Sequence, residues 1–316
     1  MSDTCAVVKF RKNVSIAPLA TFKIGGRAEY FYEARTPEDL IRAIDLAKKL
    51  RMPFRVFAGG SNVVFPEGQL KGLLIRFLGG KISTKGKRFI AEAGVPLEKI
   101  IKKSISMGLK GLETLSGIPG SLGGAVVGNA GAYGHSIFEL VRRVEIWEPF
   151  GAALGGRRRR WLKNSECHFT YRESIFKHKP YLVLRIELGF KKGNKSRLKK
   201  ISQDIIKTRE KKYKPGLKCP GSFFKNVLVK DIPGESLRYI DKKKIVEGKV
   251  PAGYLLAEAG AQGMRRGGIR VADFHGNLLI NDGRGRAADV KKLARILKNR
   301  VWRRFGIKLE EEVRYF

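Results

Sequence analysis

The chain has 316 residues, 43% of them hydrophobic and 9% aromatic, and carries 65 Lys+Arg against 29 Asp+Glu for a formal net charge of +36. That composition excludes wholesale disorder and predicts two or three folding units. Cys5, Cys167 and Cys219 are odd in number, widely spaced and without a C-x-x-C pair, which argues against a disulfide framework or structural zinc.

In chain order, Met1 to Asn13 mixes Asp3, Lys9, Arg11 and Lys12 with polar groups, unlike a signal segment, and no apolar run reaches the roughly 18 residues of a membrane span. A soluble, unprocessed, cytoplasmic chain without membrane insertion is expected. Thr36, Pro37 and Asp39 read as a capping box opening a helix of about fourteen residues with Leu40, Ile44 and Ala47 on one face. Phe54 to Ala58 reads as a strand ending in the turn Gly59-Gly60-Ser61-Asn62. A second helix is predicted from Leu97 to Met107, with Ile100, Ile101, Ser104 and Ile105 inside and Gly108 as its stop. Strands follow at Val144 to Trp147 and Tyr181 to Phe190, where Leu182, Leu184, Ile186, Leu188 and Phe190 alternate with Arg185 and Glu187. Residues 191–220 are Lys-rich, contain one amphipathic stretch around Ile201 to Ile206 and end in Pro215-Gly216 and Pro220-Gly221, the best boundary in the chain. Beyond it, Val290, Leu293, Ala294, Leu297 and Val301 predict a helix from Ala287 to Phe305 stopped by Gly306, and Leu309 to Phe316 reads as a terminal strand.

The charge concentrates at Arg157 to Arg160, Lys191 to Lys200 and Lys207 to Lys218. Such runs neutralise phosphate. They lack interleaved stacking aromatics, however, and no RNP, helix-turn-helix or zinc-finger pattern runs through them. They read as solvated loops and helix faces that attract anionic ligands, and nucleic acid is not the expected partner.

Residues 117–134 read GIPGSLGGAVVGNAGAYG, seven glycines without one charged side chain. Glycine is kept at such density where backbone must approach something closely or take positive φ. A tight chain crossing is one such case; an anion held by backbone N–H groups, in the turn or at the end of the helix that follows, is the other. The second glycine turn at Gly59 to Asn62 favours the ligand. No P-loop, Rossmann G-x-G-x-x-G or G-x-S-x-G pattern exists, and His135, His168, His178 and His275 lack metal-ligand spacing, so no metal is expected.

Asn13 with Leu19-Ala20-Thr21-Phe22-Lys23-Ile24-Gly25-Gly26, Ala58-Gly59-Gly60-Ser61-Asn62, and Gly117-Ile118-Pro119-Gly120-Ser121-Leu122-Gly123-Gly124-Ala125 with Asn129-Ala130-Gly131-Ala132-Tyr133-Gly134 form an ordered set. Tyr171-Arg172-Glu173-Ser174, Gly221-Ser222-Phe223-Phe224-Lys225-Asn226, His275-Gly276-Asn277 with Asn281, and Leu309-Glu310-Glu311-Glu312-Val313 continue it. Together they resemble the UDP-N-acetylenolpyruvoylglucosamine reductase (MurB) family over nearly the whole chain from Asn13. The resemblance implies an α+β fold: an FAD-binding vanillyl-alcohol-oxidase (PCMH-type) fold of two subdomains, 1–75 and 76–190, a basic connector 191–220, an α+β substrate domain 221–306 and a C-terminal strand 307–316. It implies NADPH-dependent reduction of UDP-N-acetylglucosamine enolpyruvate to UDP-N-acetylmuramate in peptidoglycan synthesis, through bound FAD; a monomer is expected, though nothing in the residues fixes the oligomeric state.

By the same resemblance Ser222 is the proton donor to C2, Arg172 holds the enolate-like carboxylate and Glu312 completes the polarising group. Gly59, Gly60, Ser61, Asn62, Gly117, Ile118, Pro119, Gly120, Ser121, Gly123, Gly124, Ala125, Asn129 and Gly131 fall to the cofactor, and Tyr133, Tyr171, Lys225 and Asn226 to the substrate. Strand alternation puts Glu310 and Glu312 on one face and does not choose between them; only the family pattern selects Glu312. Val227, Gly276 and Ala58 depart from the family's usual proline, alanine and glycine. The short stretch between Phe190 and Gly221 resembles the branch without an inserted substrate-capping tyrosine, so Tyr213 does not take that role. A flavin oxidase of the same fold would share the glycine loops but not the three catalytic motifs, and an inactive nucleic-acid-binding relative would leave both unexplained.

Overall fold

The computed structural model describes residues 8–149, 159–214 and 216–316. Cys5, Arg157, Arg158 and Pro215 lie outside the described residues. Two compact units are built from interleaved segments: one from residues up to Val14, Ala28–Gly59 and Leu70–Thr208, the other from Ser15–Arg27, Gly60–Gln69 and Arg209–Phe316. Helix and strand are mixed in both.

In the first unit the strands Arg11–Ser15, Arg27–Ala34, Gln69–Phe77 and Phe54–Phe57 form a sheet in that order. Its helix Pro37–Lys49 buries Leu40, Ala43, Ile44 and Ala47. The expected capping box is half present. Thr36 Oγ1 accepts from Asp39 N–H at 3.1 Å, but the Asp39 carboxylate accepts from Tyr32 Oη at 2.6 Å and Arg35 N–H at 2.9 Å, which take one oxygen each in place of Thr36 N–H. A five-stranded antiparallel sheet runs Arg159–Lys163, Val141–Trp147, Leu182–Gly189, Arg88–Glu92, Ile82–Lys85. One face carries Leu184, Ile186 and Leu188 into the core. On the other, Glu187 and Glu145 are buried as well, paired to Arg143 at 2.5 Å and Arg159 at 2.7 Å; a carboxylate so deep is retained only when its partners travel with it. The helix Leu97–Ser106 buries the expected Ile100, Ile101, Ser104 and Ile105, and Gly108 follows at φ +65°.

The Lys-rich boundary is largely an 18-residue helix, Lys195–Lys212, with only Leu198 and Ser202 buried. Lysine and arginine are good helix formers, so its composition supports the helix while its surface stays wet.

In the second unit the strands Arg265–Arg266, Ile269–Ala272 and His275–Asn281 form an antiparallel sheet. Its core joins Ile269, Val271 and Leu279 to Leu255 and Leu256 of the helix Ala252–Glu258 and to Val290, Leu293 and Leu297 of the helix Ala287–Phe305. Gly306, at φ +65°, ends the last helix with its N–H on Trp302 O at 2.8 Å, a left-handed cap. The terminal strand is shorter than expected: Glu311 bridges Phe224, and only Arg314–Tyr315 is a strand, parallel to Val63–Val64. No helix among the described residues is long and apolar enough to cross a membrane.

Candidate active site

In the first unit the glycine segment is a set of close approaches. A Cβ on Gly59 would stand 2.8 Å from Gly120 Cα, and one on Gly123 2.6 Å from Ala93 Cβ. The short helix Leu122–Val127 begins at Ser121, whose Oγ accepts from Gly124 N–H at 3.1 Å. Its first N–H groups are otherwise committed, Leu122 to Val95 O and Gly123 to Ala93 O, each at 2.8 Å. The helix end is therefore not the anion site; the crossing has consumed it. The turns are different. Among the described residues the N–H groups of Gly59, Gly117 and Gly120 make no protein hydrogen bond, and Gly117 and Gly120 take φ +75° and +115°, the pattern of backbone amides left for an anion such as a pyrophosphate. The close approaches carry the crossing, and the open amides at neighbouring residues leave the ligand reading its donors.

Gly131–Ala132 and His135–Ser136 pair as a tight hairpin. Tyr133 and Gly134 at its turn have φ +52° and +78°, and Tyr133 is 49% exposed. Tyr171 and Arg172 form the tip of a second turn, closed by Thr170 and Glu173 exchanging hydrogen bonds at 3.2 and 3.1 Å. Arg172 sits at φ +56°, a conformation rare for a long side chain and held by the surroundings. Its guanidinium lies 5.7 Å from the Tyr171 ring centroid and donates to Gly131 O at 2.9 Å. Buried Asn129 ties the hairpins together, its Nδ2 on Thr170 O at 2.7 Å. Arg172, Tyr171, Asn129 and Gly131 are thus one assembly, which spacing alone does not reveal. The Cys167 thiol is buried in the core, which pushes its pKa up to about 12 and keeps it from ionising.

In the second unit Ser222 follows Gly221, at φ +87°, and bridges Leu278; it is part of a ladder and not a loose turn. Phe223 N–H donates to Asn277 O at 3.0 Å. Buried Asn277 accepts from Phe224 N–H at 2.8 Å and donates to Phe224 O at 2.9 Å. On the other side Lys225 N–H donates to Glu310 O and Glu312 N–H to Phe223 O, at 2.9 and 2.8 Å. This places Glu312 beside Ser222 across 90 residues of sequence.

The glutamates separate cleanly. Glu310 pairs with the buried Lys225 ammonium at 2.6 Å. Glu311 takes Lys298 at 2.5 Å and Tyr315 Oη at 2.6 Å, and burial together with that carboxylate pushes the Tyr315 phenol well up. Glu310 and Glu312 both bond the serine segment through their backbones, and what sets Glu310 apart is the ion pair of its side chain with Lys225. Asn226 Oδ1 accepts from Ala252 N–H at 3.2 Å, at the start of a helix.

The turn after Gly59 is secured by Thr21, whose N–H donates to Gly60 O at 3.0 Å and whose Oγ1 donates to Cys219 O at 2.9 Å. Asn62 Nδ2 donates to Glu312 O at 3.1 Å, while its Oδ1 is buried without a partner among the described residues. A buried acceptor left open is costly unless a ligand donor fills it. Sequence reading missed Asn277 and Thr21 as organisers of the site, although both stand in quoted motifs. It also set Tyr213 aside, yet Tyr213 Oη lies 2.8 Å from Ser222 Oγ. His275, next to it, is held down at about 4 by burial and by Lys212, and its Nδ1 accepts from Asn277 N–H at 3.1 Å.

Backbone amides left open in glycine turns suit the pyrophosphate of a dinucleotide cofactor, as in a flavin-binding oxidoreductase. Residues 28–154 match a family described as an FAD binding domain, and residues 213–316 match the UDP-N-acetylenolpyruvoylglucosamine reductase C-terminal domain. The UDP-N-acetylenolpyruvoylglucosamine reductase of Solibacter usitatus is 43% identical over 93% of this chain and 92% of its own; that of Alkaliphilus oremlandii is 33% identical over 93% and 89%. The crystal structure of the Thermus caldophilus reductase (MurB) superposes with a TM-score of 0.73 at 28% identity, covering 98% of this chain and all of that one. The chain belongs to the UDP-N-acetylenolpyruvoylglucosamine reductase family. It is a flavoenzyme that reduces UDP-N-acetylglucosamine enolpyruvate to UDP-N-acetylmuramate for peptidoglycan synthesis, with FAD as cofactor and NADPH as reductant.

Proposed function

We propose that Ser222, Arg172 and Glu312 carry the reduction of the enolpyruvyl double bond. FAD, when bound, would supply hydride chemistry at C3, with NADPH as its reductant. Negative charge then develops at C2 and into the adjoining carboxylate. Arg172, permanently charged and planar, binds that carboxylate and holds the developing charge. Ser222 delivers its hydroxyl proton to C2, and Glu312 orders the polar groups around that transfer. Gly59, Gly60, Ser61, Asn62, Gly117, Ile118, Pro119, Gly120 and Ser121 line the cofactor, with Gly59, Gly117 and Gly120 holding it through open backbone N–H groups and Asn62 through its open acceptor. Gly123, Gly124, Ala125, Asn129 and Gly131 shape the backbone behind it, while Tyr133, Tyr171, Lys225 and Asn226 bind the substrate.

The observation that carries the reading is the ladder that joins Ser222-Phe223 to Glu312, with Phe223 O receiving the Glu312 N–H at 2.8 Å. Two of the three assigned groups are fixed by it on rigid backbone. The same reading places the chain in the branch without the inserted tyrosine and makes it a cytoplasmic monomer, consistent with a small phosphorylated substrate and reductant. Ser222→Ala tests it: anaerobic flavin reduction by NADPH is expected to proceed at the native rate, while reoxidation by the enolpyruvyl substrate slows by about 10²–10⁴-fold. Native reoxidation in that variant would remove Ser222 from the proton step.

A further inference from the structure

We infer that Tyr213 is the positioning residue and proton reservoir for Ser222. The inference rests on Ser222 being the proton donor. A serine hydroxyl has one proton, and in the 2.8 Å contact between Ser222 Oγ and Tyr213 Oη either oxygen is sterically able to donate. If Ser222 donated to Tyr213, its proton would point away from the substrate. Only the arrangement in which Tyr213 donates leaves the serine proton directed at C2.

The placement of Tyr213 is built, not incidental. Its side chain packs with Leu217 and Cys219 against Ala272, Leu278 and Ile280, and Leu278 is the residue that Ser222 bridges. Hydroxyl and phenol therefore rest on one strand. The Arg209 guanidinium and Lys212 ammonium lie 5.2 and 5.8 Å from the tyrosine ring centroid, and the His275 ring lies 6.1 Å away at 35°. The cations lie within cation–π range of the ring and help hold its orientation.

The chemistry balances. The C2 carbanion takes the Ser222 proton as the C2–H bond forms and the serine O–H breaks, leaving an alkoxide. A phenol is a far stronger acid than an aliphatic alcohol, so the Tyr213 O–H proton moves downhill to Ser222 Oγ, and the phenolate regains a proton from water. No electron changes hands in these steps. Serine, a weak acid by itself, is thereby stabilised as it gives up its proton.

The test is anaerobic reoxidation of the NADPH-reduced holoenzyme by the enolpyruvyl substrate in Tyr213→Phe, Ser222→Ala and the double variant. Phenylalanine keeps the ring and removes only the hydroxyl. Tyr213→Phe is expected to retain FAD, native thermal stability, native flavin reduction and native substrate affinity, to reoxidise about tenfold to a hundredfold more slowly, and to show an enlarged solvent deuterium isotope effect on that step. In the Ser222→Ala background the same change is expected to cost nothing more, since the acceptor of its hydrogen bond is gone. Native reoxidation in Tyr213→Phe, or an equal penalty with and without the serine, overturns the role of Tyr213 while leaving Ser222 as donor. Native reoxidation in Ser222→Ala removes the reading on which the inference rests.

Discussion

The glycine segment of the first unit places its functional groups by omission: wherever chains cross, a side chain is missing, as at Gly59 on Gly120 and Gly123 on Ala93. The Ser222 segment of the second unit works by addition. Asn277 and the Glu310–Glu312 backbone supply a partner for each peptide group from Phe223 to Lys225. A loop that presents N–H groups to a cofactor has to leave them unpaired, so its shape must come from steric fit. A serine that delivers a proton needs fixed aim, and paired backbone gives that. The two regions are accordingly vulnerable to opposite changes.

The largest loss of stability is expected from Asn277→Ala, which strips the partners from the buried N–H and C=O of Phe224. At about 1–3 kcal/mol for each orphaned group the fold should lose about 2–6 kcal/mol, measured by denaturant unfolding. A loss below about 1 kcal/mol in the alanine variant would mean that the amide does not hold the ladder. In the glycine region the damaging change is a single added methyl. Gly123→Ala puts a Cβ 2.6 Å from Ala93 Cβ and 2.9 Å from Ala93 O, and the overpacking should cost about 1–3 kcal/mol with lower flavin content. An unshifted melting temperature and full flavin would show that this crossing has slack.

The smallest effect is one of pH. His275 titrates near 6.5 when unfolded but is held down at about 4 in the fold, so between those values the unfolded chain binds a proton that the native one refuses. Stability should therefore be complete above about pH 6.5 and fall as pH is lowered toward 4. His275→Gln removes the titration, and comparison of unfolding midpoints at pH 7 and 5 should show a shallower slope. An unchanged slope would assign the acid sensitivity elsewhere.

Much of this was legible locally. The helices Pro37–Lys49, Leu97–Ser106 and Ala287–Phe305 follow from apolar spacing and their stops, and each buries the face expected of it. The Lys-rich boundary was less so: charge runs pointed to a connector, whereas most of it is the helix Lys195–Lys212. For the site, residue types were visible in motifs, but partners were not. Glu310 and Glu312 share a face in any strand, and only the ion pair of Glu310 with Lys225 separates them. Tyr213 stands nine residues before Ser222, in a stretch where sequence pattern assigned it nothing.

What the sequence by itself determined is where the chain turns, coils and thins to glycine, because backbone sterics and side-chain period act over a few residues. Only the tertiary structure decided that Ser15–Arg27 and Gly60–Gln69 belong with Arg209–Phe316, that Thr21 holds Cys219 O across 198 residues and that Asn281 holds Phe22 O across 259. Contacts at such separation have no local signature. They exist because closing a long loop costs little more than closing a short one, so burial of apolar surface and the pairing of each buried polar group choose the partners.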